Sequence, residues 1–184
     1  MKKIGIYSGV FDPIHHGHIN FAQKARNQLG LDKVYFMAEA KPRRKNEASD
    51  IRHRLNMIWL ALKDVSHLEL LPLEHSIFTV SETLPWLENK FKDAELHMLM
   101  GTDLFNFVHT WPGFDSLKHR TQFVIGQRAG QSSAQMTSIP HHAITTELAE
   151  LASTTVRGLQ RAQLPTMVPD SVAQYISAQK LYQT

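Results

Sequence analysis

A short apolar segment, residues 4–7, runs directly into a glycine- and histidine-rich turn, Gly9 to His18, which leads into a helix-like segment. A strand that turns at once into a helix gathers backbone N–H groups and the positive end of a helix dipole, which suits phosphate groups. Gly17 lets the backbone approach a ligand closely. His15 and His18 add ring N–H donors to the same turn. The sequence therefore predicts a nucleotide site on a strand–turn–helix unit.

Strand-like and helix-like segments alternate along the chain. Apolar runs predict five strands: Lys3–Tyr7, Lys33–Ala38, His67–Leu71, Leu96–Met100 and Gln122–Ile125. Periodicity and capping residues predict five helices: from His16 or Gly17 to Leu29, one capped by Ser49 or Asp50, Val80 to Phe91, Thr154 to about Ala162, and Pro169 to about Lys180. The helix after Asp50 is predicted to turn these residues inward: Ile51, Leu55, Ile58, Leu62 and Val65.

This alternation is typical of βαβ units. We expect an α/β fold, with a Rossmann-like, doubly wound parallel sheet. A single domain is expected over residues 1–184, with a helical C-terminal part at about 153–184. The loops that follow the strands then share one edge of the sheet, where ligands bind.

Composition narrows the functional classes. The chain has no cysteine, which excludes disulfides, thiol nucleophiles and thiolate metal sites. Its longest apolar run, Met57 to Leu62, is far shorter than the ~20 residues of a membrane-spanning helix. A formal net charge of +3 is too small to indicate nucleic-acid binding. We expect a cytoplasmic protein with no nucleic-acid and no membrane partner, and a homo-oligomer stays open.

A second segment also points to phosphate. Ser153 to Arg157 places hydroxyl groups at a helix start and an arginine one turn later. Hydroxyls, free N–H groups and a planar cation together can hold a terminal phosphate. The same pattern also fits an ordinary N-cap followed by a surface arginine. Its presence alongside the first turn favours phosphate binding.

Both segments resemble motifs of one superfamily. Gly9 to His18 resembles the G-x-F-D-P-x-H-x-G-H motif of the nucleotidyltransferases, and Ser153 to Arg157 resembles their S-[ST]-T-x-[IV]-R motif. Within that superfamily the chain is similar to bacterial nicotinate-nucleotide adenylyltransferases. Further matches follow in the family's order: His53–Met57, Thr79 with Ser81–Leu84, Gly101–Asp103, Thr110–Trp111, and Val168–Val172 with Tyr175–Ile176.

The resemblance implies transfer of AMP from ATP to the 5′-phosphate of nicotinate mononucleotide, with release of pyrophosphate. Mg²⁺ would be carried by the ATP phosphates, with no protein metal ligand of its own. Such a reaction needs alignment and charge neutralisation, and no covalent nucleophile. The implied catalytic residues are His15, His18 and Arg157. The implied ATP-binding residues are these three together with Gly9, Phe11, Gly101, Asp103, Ser153 and Thr154.

The acceptor site is implied at three places. Arg44 and Lys45 lie in a basic cluster where the family has a P-P-H-K-like segment, and Arg44 replaces its histidine. Thr79 and Trp111 match acceptor-contact positions, and Phe78 stands where the family often has tyrosine. These departures keep other acceptors open, namely nicotinamide mononucleotide or phosphopantetheine.

Three alternatives compete with this interpretation. A non-catalytic nucleotide-binding relative would carry the same motifs. The basic cluster could be a solvated loop or a nucleic-acid patch. A zinc site could form from several imidazoles: His15, His16 and His18, with His141 and His142.

Overall fold

The computed structural model describes residues 1–41, 48–72, 77–128, 138–146 and 152–182, apart from the side chains of Arg128 and Arg161. Its strands are β1 (Lys2–Gly9), β2 (Lys33–Ala38), β3 (Leu68–Leu70), β4 (Ala94–Gly101), β5 (Gln122–Arg128) and β6 (His141–Thr146). They form one sheet in the order β3-β2-β1-β4-β5-β6, with each neighbouring pair parallel. The order reverses between β1 and β4, and an open α/β sheet has its ligand crevice at such a point.

Helices cover both faces of this sheet. They are α1 (His16–Leu29), α2 (Ile51–Leu62), α3 (Thr83–Lys90), α4 (Thr102–Val108), α5 (Phe114–Arg120), α6 (Ser153–Arg157), a 3₁₀ helix (Arg161–Thr166) and α7 (Asp170–Ala178). One core joins the sheet to α1, α2, α6 and α7, and a second joins it to α3, α4 and α5. The expected Rossmann-like, doubly wound α/β fold is therefore confirmed. Within the described ranges, no helix combines the length and the apolar character needed to cross a bilayer.

Local signals explain where the first helices begin and end. Gly30 ends α1 in the left-handed conformation, with φ of 65°, which glycine adopts without steric cost. The Asp50 carboxylate accepts the backbone N–H of Arg52 at 2.8 Å and so caps α2. Both boundaries agree with the prediction.

Other elements differ from the prediction. The strand β6 was not predicted, because it is an edge strand whose side chains are largely exposed and form no apolar run. The short helices α4 and α5 were not predicted either. The helix predicted from Thr154 to about Ala162 begins as expected but is too long, since α6 ends at Arg157 and the 3₁₀ helix begins only at Arg161. The helix predicted from Val80 begins at Thr83.

The inner face of α2 is also rotated relative to the prediction. Its buried residues are Arg54, Met57, Ile58, Ala61 and Leu62. Only Ile58 and Leu62 belong to the predicted set, while Ile51, Leu55 and Val65 are partly buried at the margin of the core. The physical reason is that Arg54 points inward, where the main chain satisfies its guanidinium.

Candidate active site

A buried aromatic side chain, Phe11, packs against the turn after β1. Phe11 is 2% exposed and has a positive φ of 49°. A Cβ at Gly9 would lie 3.1 Å from the Phe11 ring, so glycine permits this close approach. The Phe11 ring in turn meets the ring of His18 edge-on, with centroids 5.0 Å apart. The two predicted ATP-side residues, Gly9 and Phe11, thus shape the floor beneath His18.

His15 and His18 lie at the start of α1 and face each other. Their rings stack with centroids 3.6 Å apart and planes 23° apart. The backbone N–H of His15 donates to Nδ1 of His18 at 3.2 Å. In a neutral imidazole the other nitrogen then carries the proton. Nε2 of His18 is therefore a fixed donor next to the N-terminus of a helix, where an anion is favoured.

The helix α6 docks directly on this turn, although more than a hundred residues separate them. The Ser153 hydroxyl donates to the carbonyl oxygen of Pro13 at 3.0 Å. The Nη1 group of Arg157 donates to the carbonyl oxygen of Asp12 at 2.6 Å, and its Nη2 group approaches Thr154 Oγ1 at 3.4 Å. The structure thus brings the two phosphate motifs into contact.

Asp12 joins the turn to two further segments through its carboxylate. The Tyr182 hydroxyl donates to Oδ1 at 2.6 Å, and the backbone N–H of Ser49 donates to Oδ2 at 3.0 Å. Burial, followed by the bond to Asp12, raises the pKa of the Tyr182 phenol above its ordinary value of 10.0. The tyrosine therefore stays protonated and remains a donor near neutral pH.

Arg54 holds the loops around the turn from inside the protein. It is 1% exposed. Within the described part of the chain its guanidinium donates to four main-chain carbonyls at 2.7–3.1 Å: those of Ser49, Val10, Glu39 and Ala40. Burial lowers the pKa of Arg54 from its usual 12.5, and the nearby carboxylate of Asp12 partly offsets this. One buried cation thus fixes the ends of β1 and β2 relative to α2.

Gly101 and Asp103 lie across the crevice from this turn. Gly101 is the last residue of β4 and the N-cap of α4, and Asp103 is exposed in the first turn of that helix. Since β4 neighbours β1 in the sheet, both positions border the carboxyl edge where the strand order reverses.

The predicted acceptor residues divide into two groups. Arg44 and Lys45 lie outside the described residues. Thr79 and Trp111 lie near Phe78, which is fully buried in the second core and whose ring is 5.9 Å from that of Trp111. The Thr79 hydroxyl accepts the backbone N–H of Glu82 at 3.2 Å and so supports the start of α3.

The geometry does not suit the zinc alternative. Among the described residues, which include all five histidines considered, no group of three or more His, Asp or Glu side chains could hold a metal ion. His15 and His18 stack face to face, and His141 contacts the Phe105 ring at 4.8 Å. Asp12, the acidic side chain within the turn, is engaged by Tyr182 and Ser49.

Sequence patterns missed two residues that organise the site, Arg54 and Tyr182. An arginine within an amphipathic helix is normally assigned to the solvated face, as is a tyrosine in a polar C-terminal segment. Position 54 did fall within the matched segment His53–Met57, which was the available signal. Nothing in the local sequence links Tyr182 to Asp12, 170 residues earlier.

Comparison with known proteins gives one consistent picture. The family model described as cytidylyltransferase-like matches residues 6–169. A Bacillus licheniformis protein named "Probable nicotinate-nucleotide adenylyltransferase" is 31% identical over 191 residues, covering 100% of both chains. A Bacillus subtilis protein named "Nicotinate-nucleotide adenylyltransferase" is 30% identical over 193 residues, again covering 100% of both.

A solved structure supports the fold independently. Plasmodium falciparum nicotinic acid mononucleotide adenylyltransferase complexed with NaAD superposes with a TM-score of 0.83 at 19% identity, covering 99% of this chain and 98% of the other. At that identity the likeness shows a shared fold.

Proposed function

Since this chain belongs to the cytidylyltransferase-like family and aligns over its full length with nicotinate-nucleotide adenylyltransferases, we propose that it catalyses their reaction. The enzyme transfers AMP from ATP to the 5′-phosphate of nicotinate mononucleotide and forms deamido-NAD and pyrophosphate. An oxygen of the acceptor phosphate bonds to the α-phosphorus of ATP, and the bond from that phosphorus to the bridging oxygen breaks. The electron pair of the broken bond leaves with pyrophosphate. Because the other product is deamido-NAD, the reaction is a step of NAD biosynthesis.

The observation that carries this proposal is the contact between the turn after β1 and α6. Ser153 and Arg157 bond to the carbonyls of Pro13 and Asp12, beside the stacked His15 and His18. Phosphoryl chemistry with an anionic nucleophile needs charge stabilisation and alignment above all. A cation and oriented N–H donors gathered at one helix N-terminus provide both.

Each residue then has a defined task. His18 donates from Nε2 to an oxygen of the reacting phosphate, and His15 holds the ring of His18 in place by stacking. Arg157 neutralises charge on the leaving pyrophosphate, with Ser153 and Thr154 beside it. Gly9, Phe11, Gly101 and Asp103 border the adenosine, while Thr79 and Trp111, with Arg44 and Lys45, bind the acceptor.

Mg²⁺ fits this site as a companion of ATP. We infer that the ATP phosphates would supply its ligands, as is usual for Mg²⁺ bound together with a nucleotide. A bound ion would share the negative charge of those phosphates. We also propose a cytoplasmic location, which the absence of cysteine from the sequence fits.

The direct test is incubation of pure protein with ATP, Mg²⁺ and nicotinate mononucleotide, with pyrophosphate and deamido-NAD measured separately. We expect both products in equal amounts. Nicotinamide mononucleotide and phosphopantetheine are compared as acceptors by kcat/KM. A higher kcat/KM for either would replace the acceptor, and ATP binding without pyrophosphate release for every acceptor would show a non-catalytic protein.

A further inference from the structure

The C-terminal segment reaches back to the turn after β1. Beyond α7 the chain reverses, with the backbone N–H of Leu181 bonded to the carbonyl of Ile176 at 3.0 Å. Lys180 and Tyr182 both have positive φ, of 53° and 59°. This reversal carries the Tyr182 ring towards the turn, where its hydroxyl meets the Asp12 carboxylate at 2.6 Å.

Asp12 links this tyrosine to the phosphate-binding groups. The carboxylate takes the Tyr182 hydroxyl and the Ser49 amide, while the carbonyl of the same residue takes the Arg157 guanidinium at 2.6 Å. Asp12 is 3% exposed, so water has little access to replace a lost donor. A hydrogen bond to a charged, buried acceptor is among the stronger ones in proteins.

The C-terminal segment and Arg157 also share a pocket of about 520 Å³, lined by residues that include Arg157, Gln160, Leu164, Leu181 and Tyr182. Leu181 and Tyr182 pack against the core that contains Val156 and Leu164, but apolar packing is not directional. The bond from Tyr182 to Asp12 adds a directional path to the residue whose carbonyl holds Arg157.

We propose that Tyr182 is a positioning residue for ATP: through Asp12 it sets the place of Arg157 on the triphosphate. It does not touch the substrate. The inference rests on the proposed function, because it assigns the phosphates of ATP to Arg157. Its specific consequence is that loss of the Tyr182 hydroxyl weakens ATP use and leaves acceptor binding nearly intact.

The test is Tyr182→Phe, which removes one oxygen and keeps the ring. Tyr175→Phe is the matched control, because its hydroxyl bonds to His53 Nδ1 at 2.9 Å and to Asn56 at 3.2 Å on α2, away from the turn. We expect Tyr182→Phe to lower kcat/KM for ATP, and to weaken calorimetric MgATP binding, by about tenfold. KM for the acceptor should change less than about twofold, and Tyr175→Phe should match the wild type.

A double-mutant cycle separates positioning from a general structural role. In an Arg157→Ala background, Tyr182→Phe should change MgATP affinity by less than about twofold, because its path ends at Arg157. An undiminished tenfold effect there would overturn the proposal, as would wild-type MgATP affinity in Tyr182→Phe or an equal loss in Tyr175→Phe. If Tyr182→Phe yields no folded protein, Asp12→Asn is measured instead and should show the same ATP-selective loss, and an equal loss for ATP and acceptor would overturn the proposal.

Failure of the proposed function has a different signature. Wild-type protein would then release no pyrophosphate with nicotinate mononucleotide. The MgATP titrations require no acceptor, so they judge the role of Tyr182 independently of that result.

Discussion

The crevice at the carboxyl edge of the sheet has two sides that are held in different ways. On the side of α1, α2 and α6, polar side chains bond to main-chain carbonyls of the turn, as Arg54, Ser153 and Arg157 do. On the side of α3, α4 and α5, Phe78 and Trp111 belong to an apolar core. Hydrogen bonds are directional and fix atoms closely, whereas apolar contacts tolerate small shifts. The first side suits the reacting phosphates, and the second suits a flat aromatic base.

The largest effect we expect comes from removing the guanidinium of Arg54, which holds the loops on the first side of the crevice. Arg54→Leu leaves four main-chain carbonyls, one buried and three partly buried, without their donor, and such losses are costly. The free energy of unfolding should fall by about 3–5 kcal/mol, measured by urea denaturation. Arg52→Leu, on the same helix with an 85% exposed side chain, is the control and should unfold like the wild type. Equal stability of both variants would show that the carbonyls find other donors.

The next largest effect is a loss of turnover without a loss of stability. His18→Ala should lower kcat by about 10²-fold, the scale of one lost transition-state donor, with little change in Tm. The matched control is His16→Ala, since the backbone N–H of His16, and not its ring, bonds to Met167 at 2.9 Å. Steady-state turnover within about twofold of wild type in His18→Ala would remove the ring from the mechanism.

A smaller effect is expected on the apolar side. Trp111→Ala should raise KM for the pyridine acceptor by about five- to tenfold through loss of aromatic contact, with KM for ATP unchanged. Trp111→Phe keeps a ring and should recover part of the loss. Trp59→Ala, at a tryptophan 55% exposed on α2, should leave both constants unchanged. A rise in KM for ATP in Trp111→Ala would contradict the division between the two sides.

The smallest effect we expect is a pH dependence of the stability of the whole fold, which does not distinguish the two sides of the crevice. Burial lowers the pKa of His97 below its ordinary value of 6.5, and the carboxylate of Glu95 partly opposes this. The unfolded chain then binds a proton more readily than the folded one, so stability is present above pH 6.5 and decreases as the pH falls below it. Thermal unfolding at pH 7.5 and 5.5 should show a drop in Tm that is smaller in His97→Asn. An equal drop would assign the dependence to other groups.

These two sides also differ in how far the sequence revealed them. The motifs Gly9–His18 and Ser153–Arg157 are continuous, and the sheet order brings them to one edge by general rules of α/β folds. Strand β2 was predicted with its observed bounds, because its apolar run is uninterrupted. By contrast, β6, α4 and α5 are short and partly exposed, and their weak periodicity gives no clear signal.

The buried polar contacts of the site were the feature that the sequence predicted least well. Position 54 looks like a surface position until the segments after β1 and β2 are known to turn their carbonyls towards it. Tyr182 becomes informative only once the C-terminal reversal is seen. Contacts of this kind depend on tertiary geometry, which propensity and periodicity do not contain.

The hydrogen bonds between α6 and the turn have one consequence for which substitutions the protein can accept. Ser153 and Arg157 attach to carbonyl oxygens, which every amino acid possesses. The contacts with α6 therefore depend on the path of the turn, which the Asp12 carboxylate helps to hold, and the other side chains of the turn contribute to them only through that path. Sequence drift at positions that set neither this path nor the stacked rings of His15 and His18 should therefore leave the attachment of α6 in place.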